Sequence, residues 1–146
     1  MIVILRLFVL LAAGLIAFAA PPAAAQPPHP AAQQGGAIAG EAPYDPATEA
    51  TLRGAVQEVK EMNNVVTVTH LVLGTADHGA VEVHLGPSSW IAKQSASFKT
   101  GDQIEIIGSR VKYAGSDVIV ARQIRKGRQT LTLRDTQGIS QWSRGR

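Results

Sequence analysis

The chain has 146 residues, a formal charge of +3 and no cysteine. That length suits one ordinary domain. The missing thiols exclude cysteine nucleophiles, disulfide staples, Cys-ligated zinc, haem attached through Cys-x-x-Cys-His and lipoprotein anchoring through cysteine.

Residues 1–25 read as a cleavable secretory signal. Arg6 precedes an apolar run from Leu7 to Ala20, and small residues lead up to a cut after Ala25. The run is shorter than the roughly 20 residues that a membrane-spanning helix needs. Cleavage near Ala25 places the mature chain in the bacterial periplasm or outside the cell. Residues 26–47 are rich in Pro, Gly and Ala, including Pro27, Pro28, Pro30, Pro43 and Pro46. Such a stretch buries too little apolar surface to offset its ordering entropy, so it reads as a flexible leader. The folded unit is expected over residues 48–142, followed by a basic tail at 143–146.

Within that unit the apolar period is mostly two, the signature of strands. "TLRGAVQEVKEM" (51–62) is the first, with Gly54 marking a bulge or tight coil. "NN" at 63–64 is a turn, and "VVTVTHLVLGT" (65–75) is a β-branched second strand. "ADHG" (76–79) leads into "AVEVHL" (80–85). Gly86-Pro87-Ser88-Ser89 then stops the alternation, and Trp90 to Gln94 read as a short helix with a serine N-cap. "QIEIIGSRVKY" (103–113), "VIVARQIRK" (118–126) and "TLTLRD" (130–135) supply three more strands.

Five strands with one short helix between the third and fourth, and a sixth strand after them, give an all-β reading. "LRGAVQEV" and "KTGDQIEIIGSRVKYAGSDVIVARQI" resemble small exported bacterial OB-fold domain proteins over about residues 48–135. The resemblance implies a five- to six-stranded Greek-key barrel, with the helix plugging its open end. Trp90, Ile91 and Phe98 then form the plug's apolar underside. It also implies a ligand-binding face on the second and third strands.

The short loop joining those two strands makes them an antiparallel hairpin. A one-residue slip would turn every side chain to the other face. Keeping Leu71 and Leu73 on the face of Val81, Val83 and Leu85 pairs Leu71 with Val83. His70 then falls opposite His84 on the other face, beside Glu82. Directly opposed β-carbons lie about 4.5–5.5 Å apart, close enough for two imidazoles to share a metal ion. Glu82, His78 and Asp77 are further candidate ligands. The alternatives are a pH-sensitive pair and, more plainly, two surface histidines without a role.

Nothing in the chain matches a nucleophile elbow, a phosphate loop or a carboxylate pair, so no enzyme is expected. The leading reading is a non-catalytic exported binding or accessory module. Its barrel face would contact an envelope protein or polymer, a glycan, a small ligand or a metal. The second reading is single-stranded nucleic-acid binding, which needs a basic groove with stacking aromatics. Arg110, Lys112 and Arg122 are its candidate cations, with Tyr113 and Trp142 as the exposed aromatics. A third is contact with a membrane surface or another polyanion through Arg125, Lys126, Arg128, Arg134, Arg144 and Arg146. No cofactor is expected apart from a divalent metal at the histidines. Oligomeric state, and whether the sixth strand closes the barrel or leaves an edge, are open.

Overall fold

A computed structural model describes residues 41–144, so the expected signal, the expected leader up to residue 40 and the tail residues Gly145 and Arg146 lie outside the described residues. Six strands form one closed, barrel-like sheet. They are β1 (Glu49–Asn63), β2 (Thr67–Thr75), β3 (Gly79–Pro87), β4 (Gln103–Tyr113), β5 (Ser116–Lys126) and β6 (Gln129–Thr132). Their order is β3-β2-β1-β4-β5-β6, and every neighbouring pair in it is antiparallel. A short parallel pairing of Glu82–His84 with Val118–Val120 closes the sheet. Closure therefore belongs to β3 and β5. β6 pairs with β5 alone among the described strands and keeps an open edge. No helix among the described residues is long and apolar enough to cross a membrane.

Two glycines permit the closure. A β-carbon on Gly54 would meet the Gly74 carbonyl oxygen at 2.1 Å, where β1 pairs with both β2 and β4. One on Gly108 would meet the Val120 carbonyl oxygen at 2.6 Å, beside a bulge in the β4–β5 register. At both points two backbones approach too closely for any side chain.

The interior is filled by alternate strand residues, among them Val56, Leu71, Leu73, Val83, Ile106, Ile119 and Ile124, each at most 1% exposed. The helix α1 (Ser88–Ile91) sits between β3 and β4. Ile91 is buried in the core, and Trp90 and Phe98 pack partly buried against it. The helix starts earlier than the sequence suggests. Pro87 takes the N-cap position with no side-chain cap, and the Ser88 hydroxyl instead shares a 2.8 Å hydrogen bond with Thr69.

Trp142 is buried rather than exposed, at 8%. Its ring meets Trp90 edge-on at 5.5 Å, and Gly86 lies so close that a β-carbon there would strike the indole. The last part of the leader also packs on the sheet. Ala42 and Tyr44 are buried in a second apolar cluster with Val118 and Val120, on the outer side of β5. Arg134 ties these parts together. Its guanidinium donates to the Leu85 and Ala121 carbonyls and pairs with Glu41. Leu85 and Ala121 follow the last pair of the β3–β5 ladder, so this side chain bridges the two strands where their own ladder ends.

Candidate functional site

The hairpin register is the one that the alternation demands. Leu71 pairs with Val83, Leu73 with Val81, and His70 with His84. The leucines and Val83 face the core, so the histidines and Glu82 face outward. The outward face is not a bare surface, however. His70 is 9% exposed and His84 5%. The closing ladder sets His84 beside Val120 and Glu82 beside Val118, both part of the outer apolar cluster. Tyr113 from β4 meets the His84 ring edge-on at 5.5 Å.

The two imidazoles stack, with ring centroids 3.8 Å apart and planes inclined by 16°. His70 Nδ1 lies 2.9 Å from Glu82 Oε1, and His84 Nε2 lies 3.5 Å from the same oxygen. An ionised carboxylate only accepts, so at 2.9 Å the His70 Nδ1 carries the proton and donates it. Burial pushes the His84 pKa down to about 4, and the neighbouring His70 adds to this against the raising effect of Glu82. His84 is therefore neutral near pH 7. For Glu82, burial alone would raise the pKa. The hydrogen bond from His70 and the charges of the two histidines and Lys60 outweigh it and hold the carboxyl below its usual range. Lys60 stands across the β1–β2 pairing from His70.

His70, Glu82 and His84 thus form a compact donor set whose nitrogen and oxygen atoms all lie within 4.8 Å of one another. His78 is not part of it. It sits exposed in the turn between β2 and β3, where its backbone N–H donates to Thr75 Oγ1, and Asp77 is in the same turn. Nothing in composition pointed to Lys60, Tyr44 or Glu41 as neighbours of this region, because their positions depend on pairings between distant segments.

The remaining candidates do not gather into one surface. Arg110 and Lys112 alternate along β4 with Val111 and Tyr113 and so point to the opposite face of that strand. Lys112 pairs with Asp117 at 3.2 Å. Arg122 grips Glu49 with two hydrogen bonds of 2.6 and 2.9 Å. Arg125 pairs with Glu105, Lys126 with Asp102 and Arg144 with Asp135. Arg128 is exposed, while Arg134 is buried at 2% and unavailable to a polyanion. A cavity of about 270 Å³ opens between residues 94–98 and β6, lined in part by Phe98, Leu131 and Lys126. It shares no residue with the histidine cluster.

Residues 48–131 match the MamS/MamX magnetosome protein family, a span from the foot of β1 into β6. No curated protein matches the chain.

Proposed function

The chain belongs to the MamS/MamX magnetosome protein family, and from that premise we propose that it is a non-catalytic accessory module that works by binding, on the outer face of β2 and β3. The observation that carries this reading is the half-open polar cluster of His70, Glu82 and His84 on an otherwise apolar outer patch. A sheet needs no such group for stability. Buried polar side chains cost free energy unless they are well partnered, and apolar residues would pack there more cheaply. The expectation of an OB-type barrel agrees with this placement, since its second and third strands are the ones assigned to ligand contact.

The proposed compartment is outside the cytoplasm, from the Arg6 and Leu7–Ala20 pattern and the absence of cysteine. In a magnetosome-forming host, an epitope-tagged chain is expected to co-fractionate with magnetosomes, and N-terminal sequencing of it should begin at Gln26. A tagged chain that keeps Met1 and stays in the soluble cytoplasmic fraction would overturn the reading. Polyanion binding is the weaker alternative. Most of its candidate cations are engaged by carboxylates, and Trp142 is buried rather than free to stack.

A further inference from the structure

We propose that His70, Glu82 and His84 bind a divalent first-row transition metal, such as Zn²⁺, Co²⁺ or Fe²⁺, and leave part of its coordination sphere to an outside ligand. The inference deepens the accessory reading, on which it rests for the choice of face.

The donor set is chemically selective. Two imidazole nitrogens and one carboxylate suit borderline metals of this kind. Calcium and magnesium prefer all-oxygen sites. Soft Cu⁺ favours sulfur ligands, and the chain contains no cysteine at all. The Glu82 carboxylate, within 2.9 and 3.5 Å of the two imidazoles, supplies an anionic ligand between them. Three protein ligands do not complete a tetrahedral or octahedral shell, and the Glu82 side chain, 39% exposed, gives solvent and a further ligand access.

The spacing is close to what coordination requires. Two ligand atoms about 2.1 Å from an ion, at a tetrahedral angle, lie about 3.4 Å apart. His84 Nε2 and Glu82 Oε1 are already 3.5 Å apart. His70 Nδ1 and the same oxygen, at 2.9 Å, separate by about half an ångström once the ring takes the tautomer with its proton on Nε2, which frees Nδ1 as a ligand. One adjustment is needed. Parallel rings aim their lone pairs along parallel lines, and an ion must lie near the plane of each ring. Capture therefore tilts one imidazole out of the stack. His84 is the fixed partner, since it is the more deeply buried ring and is braced by Tyr113. His70 is the ring that turns.

The mount is firm because Leu71 and Val83, both fully buried, lock the register that opposes the two histidines. A slip of one residue would bury the imidazoles in the core and destroy the site.

The test is titration of the purified, metal-stripped chain with ZnCl₂ and CoCl₂, followed by calorimetry and by the visible spectrum of bound Co²⁺. One ion per chain is expected, with the absorption of a histidine–carboxylate site of low coordination number. Glu82→Gln, at the partly exposed position, and His84→Ala should each weaken binding by at least about tenfold, while His78→Ala leaves it unchanged. Circular dichroism of Glu82→Gln checks that the fold is retained. Absence of one-to-one binding, equal affinity for Ca²⁺, or equal weakening by His78→Ala would each overturn the metal site. If metal binding fails while the chain still co-fractionates with magnetosomes, the accessory reading stands without it. If the metal binds and co-fractionation fails, the reverse holds.

Discussion

Arg134 and Tyr44 show what single residues contribute here. The Arg134 guanidinium is buried, lies 4.9 Å from the centre of the Trp142 ring, and has Glu41 as its counter-charge. Removing one partner strands the other charge away from water, which costs about 3–5 kcal/mol. Glu41→Ala should therefore lower the urea midpoint strongly, although residue 41 lies upstream of the family-matched segment. Tyr44 is pushed well above the ordinary tyrosine range, first by burial and then by the Glu49 carboxylate that its hydroxyl contacts. Its folded pKa exceeds the unfolded value of about 10. The stability it contributes is complete below that pH and is lost as the solution becomes more alkaline. Tyrosinate absorbance on raising the pH should show a late component that appears only as the chain unfolds, and Tyr44→Phe should abolish it. The opposition of His70 and His84 was legible from the sequence, because alternation and a short loop allow a single register. Their burial was not. It arises from β5 and Tyr113 packing along the outside, and no local pattern announces contacts so distant in the chain.

Among the elements, β4 was legible to the residue, since Gln103–Tyr113 is bounded by Gly-Asp and Ala-Gly turns, with Gly108 marking its bulge. The helix was misplaced by two residues because Ser88 looks like a cap, yet its hydroxyl is taken up by Thr69. β1 is longer than its apolar alternation, and at its far end Val59 and Met62 are largely exposed. There the strand is held by β2 alone, since pairing with β4 stops at Ala55. The two close-approach glycines give a prediction for this scale. Gly54→Ala and Gly108→Ala must each push apart two paired backbones, at a cost of about 1–3 kcal/mol or more. Thermal denaturation should show both, whereas Gly79→Ala, with open space around its β-carbon position, is strained by its φ of 66° alone.

At the scale of the whole molecule, the positive charge concentrated after Ala121 in the sequence disperses in the fold. Arg122 reaches back to Glu49, Arg125 to Glu105 and Lys126 to Asp102, so acids at or before residue 105 neutralise cations after residue 121. A linear tally of charge cannot foresee this, because it ignores which strands become neighbours. Oligonucleotide binding should accordingly be weak, and Arg122→Ala should alter stability more than any such affinity, as denaturant melts and filter binding will show. The upstream boundary was likewise obscured by composition, since Pro43 and Pro46 flank residues that pack closely on the sheet. One consequence follows for mechanics. The ladder between β3 and β5 is three residues long and is extended by a guanidinium that also holds Glu41. A pull on the chain at Glu41 is thus passed, through one guanidinium, to the shortest ladder of the closed sheet, one residue from His84.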